Sequence, residues 1–133
     1  MGMRTLEGLY AAHALVELVL GAVKLRGRYS GIEMPDGAEK FARHHGVALL
    51  AIALLGAETL RRGLVRTAAG TMVSLVLCAF HAGCVAVMLH AAIANRAALN
   101  VAFMHAPFAI GFGAHALNVT SSVTQSPARH KAR

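Results

Sequence analysis

Residues 10–25 read YAAHALVELVLGAVKL. The stretch is apolar enough to sit in lipid, yet His13, Glu17 and Lys24 interrupt it. About 20 apolar residues cross the hydrocarbon core of a bilayer, so the segment has the length of a membrane helix. Three ionisable groups in such a helix are expensive unless they face protein or water. Where those groups can point decides the fold.

The surrounding chain favours a membrane. Of its 133 residues, 56% are hydrophobic and 14% charged, with a mean hydropathy of +0.56. A soluble domain carries about 25% charged residues. No Asp, Glu, Lys or Arg occurs in the 29 residues between Arg66 and Arg96, nor in the 32 between Arg96 and Arg129. Each gap can hold a transmembrane helix.

These patterns predict an all-α polytopic membrane protein, with four transmembrane helices in an up-down bundle. The helices are expected at residues 6–26, 39–60, 65–95 and 98–118, within a domain spanning 1–119. Residues 120–133 are expected to form a disordered, basic C-terminal tail. Gly27, Gly31, Pro35 and Gly37 mark the first connection as a loop, and Arg61-Arg62-Gly63 is a short turn. Helix 3 is expected to exceed the membrane's thickness and to tilt. Helix 2 is the weakest span, its uncharged stretch being the 14 residues from His44 to Ala57.

An even number of spans puts both termini on one side. Seven basic residues then lie on the terminal side and six on the other, which leans to cytoplasmic termini in a bacterial inner membrane. The net charge of +7 is read as flanking cations at lipid headgroups. No basic patch is interleaved with aromatics, so nucleic acid is excluded as a partner. Cys78 and Cys84 sit six residues apart on one helix and point apart, so they stay free thiols. Only Arg4 precedes a first helix broken by Glu17, which argues for a retained helix over a cleaved signal. Leu20–Arg26 and Leu55–Arg61 (LGAVKLR and LGAETLR) share five of seven positions. An inverted repeat gives this pattern. An Ala/Leu/Gly-rich chain also gives it by chance, the reading adopted.

Helical wheels gather the polar groups. Tyr10, His13, Glu17, Gly21 and Lys24 share an arc of about 80°. His44, Ala48, Ala51, Glu58 and Arg62 line one face of helix 2, and Thr67, Thr71, Ser74, Cys78 and His81 one face of helix 3. Val101, His105, Phe108, Phe112 and His115 share a face of helix 4. Beside it runs a stripe of Ala102, Ala106, Ala109, Gly113 and Ala116, which suits close helix packing in lipid. Pro107 frees the Phe103 carbonyl and is expected to kink helix 4. With all four polar faces turned inward, His13, Glu17, His81 and His105 lie near the midplane. Glu58, Cys78 and His115 form a second layer, and His44, His45 and His90 lie near a surface.

Imidazole can ligate a metal or haem, pass a proton, or hydrogen-bond a neighbour. The candidate cofactor-binding residues are His13, Glu17, His81, His105 and His115. Haem b needs two histidines facing each other across a bundle, which His81 offers with His13 or His105. A transition metal ion needs a set such as His13, Glu17 and His81, whose N/N/O donors suit zinc, iron or copper. A proton path needs only Tyr10, His13, Glu17 and Lys24 within reach of water. Set against these, a membrane histidine commonly fastens two helices and nothing more. Lys24, near a helix end, is expected to snorkel. No phosphate loop, nucleophile elbow or CxxC pair is present.

The four spans, the size and the LVLGAVKL end of helix 1 resemble small DoxX-like bacterial membrane proteins. Their first helix often closes on a Gly-x-x-Lys-Leu element, here Gly21 to Leu25. The resemblance implies a membrane redox setting and assigns no site residue. The expected function is a small membrane subunit binding haem, a metal or a quinone through intramembrane His and Glu. The alternative is a non-catalytic accessory subunit of a larger membrane complex. Its expected partners are the lipid bilayer and further copies of itself or other membrane subunits.

Overall fold

A computed structural model describes residues 2–27 and 37–124. Four helices follow in order: α1 (Met3–Leu25), α2 (Glu39–Arg61), α3 (Ala68–Ala91) and α4 (Ala98–Thr124). No strand occurs among the described residues. The chain divides into two compact units, Gly2–Gly63 and the part from Leu64 onward. Each is a helical hairpin, α1 on α2 and α3 on α4.

Two helices, the third and the fourth, differ most from the sequence reading. The third helix is 24 residues long, shorter than the expected 65–95. Thr67 takes extended backbone and its Oγ1 accepts the Gly70 N–H at 3.2 Å, a side-chain N-cap that starts the helix there. At the other end the chain leaves the helix after Ala91, and Asn95 Oδ1 accepts the Ala97 N–H at 3.0 Å. Asparagine bonds that turn its own backbone compete with the helix ladder. The fourth helix runs through Pro107 and on to Thr124, past the expected end at 118 and into the segment read as a disordered tail. Neither Gly nor Pro occurs between Asn118 and Thr124, so polarity alone does not stop the helix. The first loop (28–36) and the rest of the tail (125–133) lie outside the described residues.

The first hairpin rests on a close approach. A Cβ added to Gly46 would lie 2.8 Å from the Leu25 nitrogen and 2.9 Å from the Gly21 oxygen. Further along, one added to Gly56 would meet His13 Nδ1 at 3.1 Å. Rising positions on α1 thus meet falling positions on α2, so the helices are antiparallel. The buried face of α2 is Ala42, Gly46, Leu49, Ala53, Gly56 and Thr59. This corrects the sequence reading for helix 2: His44, Ala48, Ala51 and Arg62 are exposed. Small residues win the contact because they let the backbones come together. Gly63, with φ of +65°, ends α2 in the left-handed form that glycine adopts freely.

The second hairpin buries the face that the sequence marks. Thr71, Ser74, Leu77 and His81 of α3 are buried, as are Ala102, His105, Phe112, His115 and Ala116 of α4. Cys78 Sγ would lie 3.2 Å from a Cβ at Gly113, so the small-residue stripe of α4 seats α3. Cys78 and Cys84 are both free.

At the end of α2, Glu58 accepts from Arg61 Nε at 2.6 Å and from Arg62 Nε at 2.5 Å. Both guanidiniums fold back on one carboxylate, so the charges at this helix end are paired. Gly46→Ala should lower stability by about 1–3 kcal/mol through overpacking. Gly8→Ala, with nothing within 4 Å, should be neutral or stabilising by up to about 1 kcal/mol. Equal melts for the two glycine variants would refute the close approach.

Candidate functional site: buried histidines and a carboxylate

Helix α1 carries Tyr10, His13 and Glu17 one turn apart, and all three are fully buried. The notch at Gly56 is what lets the His13 ring lie against α2. Glu17, the group that made this helix hard to read, does not face outward. Nearer the helix end, Lys24 does not simply snorkel. It is half-buried, with Nζ 2.8 Å from His45 Nδ1 of α2. The ammonium donates, so His45 accepts at Nδ1. The bond ties the end of α1 to the start of α2. His44, its neighbour, is exposed, as is His90 on α3.

Two further rungs join α3 to α4. Ser74 Oγ lies 2.5 Å from His115 Nδ1, both groups buried. One α-helical turn beyond Cys78, His81 Nδ1 lies 2.8 Å from His105 Nδ1. These rungs also fix α3 and α4 as antiparallel. Three phenyl rings surround the histidine pair. Phe108 lies 5.1 Å and Phe80 5.2 Å from the His81 ring, and Phe112 stacks at 6.2 Å with planes 12° apart. Phe80 also meets His105 edge-on at 6.3 Å.

The sequence residues therefore fall into two sets. His13 and Glu17 lie on the first hairpin, and His81, His105 and His115 on the second. Of the second set, His81 and His105 are brought into contact, and His115 is engaged by Ser74. Sequence reading placed Ser74 on the polar face but gave it no role. Its signal was the seven-residue step to His81 on the same face. The Lys24–His45 bond was missed, because it joins residues on different helices.

The pair can be tested against the cofactors in view. Two imidazoles on opposite sides of one haem iron need nitrogens about 4 Å apart, at about 2.0 Å per bond. His81 and His105 hold their Nδ1 atoms at 2.8 Å, with ring centroids 5.1 Å apart, which leaves no room for an iron between them. A tetrahedral ion shared by both needs about 3.3 Å between nitrogens. Comparison with protein-family models, curated proteins and solved structures returned no match.

Ser74→Ala removes the hydroxyl partner of a buried imidazole nitrogen and should lower unfolding free energy in micelles by about 1–2 kcal/mol. An unchanged melt would mean the α3–α4 hairpin does not depend on that rung.

Proposed function

We propose that the chain is a small multi-pass subunit of a bacterial cytoplasmic membrane that binds a cofactor or ligand through buried His and Glu side chains, in redox or proton-coupled work. One observation carries the reading: the polarity of the fold is reversed. His13, Glu17, Ser74 and His81 are fully buried. Leu15, Met72, Val87, Phe103, Ile110 and Leu117 are each more than 60% exposed. Water would penalise so much exposed apolar surface, whereas lipid favours it.

Two described helices, Arg4–Leu25 and Ala68–Ala91, are long and apolar enough to cross a membrane. The apolar window of the second is only 17% buried, whereas a soluble core helix would be mostly covered. Helices α2 and α4 fall short on polarity: α2 carries Glu39, Lys40, Arg43, Glu58 and Arg61, and α4 holds Asn100, His105, Pro107 and His115. In the proposal they cross as the packed partners of α1 and α3. The exposed Leu54 of α2 and Ile110 of α4 support this. The termini are assigned to the cytoplasm on the slight excess of basic residues on their side. The Gly21–Leu25 element, in its likeness to DoxX-like proteins, supplies the redox half of the reading.

A second reading has its own support. Ser74–His115 and Lys24–His45 are interhelical bonds that need no ligand to explain them. On this reading the protein is an accessory subunit, and those histidines are fasteners. The two readings divide over His13, Glu17, His81 and His105.

Membranes from expressing cells, washed with alkaline carbonate, should retain the full chain. Recovery in the aqueous fraction without detergent would end the membrane reading. Protein purified in mild detergent should carry a Soret band, a stoichiometric transition metal or a co-purifying quinone. Glu17→Gln should reduce that content several-fold with the assembly intact. A clean preparation, or loss of assembly in Glu17→Gln, would favour the accessory subunit.

A further inference from the structure

We propose that the outer face of α4 around Pro107 is a docking site for a quinol, whose ring lies on Phe103 and whose hydroxyl donates to the Phe103 carbonyl. The inference rests on the membrane reading of the proposed function. It names the chemistry of a ligand on a face separate from the buried His and Glu side chains.

The site follows from one residue. Proline has no N–H, so Pro107, inside α4, cannot close the helical bond to the carbonyl four residues back. That carbonyl belongs to Phe103. No serine or threonine occurs between Arg96 and Thr120, so this part of α4 has no hydroxyl of its own to turn back on it. A backbone acceptor in hydrocarbon carries a heavy cost unless a donor from elsewhere meets it.

The surroundings leave the carbonyl on the open side of the helix. Phe103, Pro107, Ile110 and Leu117 share an arc of about 80°. All four are exposed, and Phe103, Ile110 and Leu117 are each exposed by 70% or more. The side of α4 that seats α3, with Ala102, His105, Phe112 and Ala116, is turned the other way. Phe108 and Phe112 pack beside His81, whereas Phe103 is left outside as a flat apolar surface next to the acceptor.

The acceptor selects the ligand. A carbonyl oxygen can only receive, so the ligand must donate. It must also dissolve in lipid, and it must be flat to lie on a phenyl ring. A quinol meets all three demands. The matching quinone has acceptor oxygens only and gains nothing from the carbonyl. The site therefore holds the reduced form in preference to the oxidised one. Binding alone is proposed, with no bond made or broken.

The test uses full-length protein in nanodiscs of phosphatidylcholine, whose headgroup has no hydroxyl to compete. Retention of a decyl benzoquinol (kept reduced under argon), the matching benzoquinone and the quinol's dimethyl ether is measured against empty nanodiscs. The quinol should bind about 5–10-fold more tightly than the other two, the difference one neutral hydrogen bond makes. Pro107→Ala restores the missing N–H and should bring the three ligands to the same affinity. Removing a proline from a helix interior favours the helix, so that loss cannot be put down to misfolding. Phe103→Leu keeps the carbonyl and should weaken all three ligands by a similar factor. Equal retention of quinol and dimethyl ether by the native chain, or an unchanged preference in Pro107→Ala, would overturn the site. Glu17→Gln should leave the quinol preference as it is, which separates this face from the buried His and Glu site. A chain recovered in the aqueous fraction without detergent ends the membrane reading, and this site with it.

Discussion

A carboxyl or an imidazole in an apolar surrounding must be enclosed by protein, and this constraint organises each hairpin. The polar face of α1 is turned from the surface along Tyr10, His13 and Glu17, and that of α3 along Thr71, Ser74 and His81. Many large apolar side chains are left outside, from Leu15 and Leu18 to Met72 and Leu75. The enclosure needs helices that approach closely, since a gap would leave the polar groups uncovered. The glycines at 21, 46, 56 and 113 make that approach: a Cβ would collide with the facing helix at the first two and press closer than ordinary contact at the others. Polar burial and small residues are thus two halves of one device. The bulk removed at Gly56 is the room taken by the His13 ring.

Most of this was legible because it follows from periodicity. The 100° step of a helix put Ser74 and His81 on one face, and His105 and His115 on another, before any fold was known. The existence and order of the four helices followed from charge-free runs and turn residues. What periodicity cannot give is which of two faces wins a contact. On α2 the polar stripe through His44 and Glu58 competed with the small stripe through Gly46 and Gly56. The small stripe won, because backbone approach contributes across many atoms, whereas exposed charges near a helix end lose little. The Thr67 cap and the Asn95 turn shortened α3 for a similarly local reason. Both depend on a single side chain bonding its own backbone, which leaves no periodic trace. The pairings His81–His105, Ser74–His115 and Lys24–His45 join helices, and only packing register fixes which rows meet.

The buried polar groups differ in what they cost, and the difference bears on function. A hydroxyl or a neutral imidazole with a partner is cheap to enclose, and interhelical bonds of this kind contribute about 0.6 kcal/mol on average. Ser74 and His115 need no further reason to be where they are. A carboxyl is another matter, since its charged form is among the most expensive groups to place in hydrocarbon and its neutral form still needs partners. Where only adhesion between helices is required, serine or asparagine supplies it at lower cost. Glu17, fully buried at mid-helix, is thus poorly explained as a fastener. That asymmetry between Glu17 and Ser74 weighs toward the ligand-binding reading over the accessory one. It also divides the two readings between residues of the same molecule: His115 and His45 have partners on the facing helix, while Glu17 and His13 are the residues on which the proposed ligand-binding reading rests.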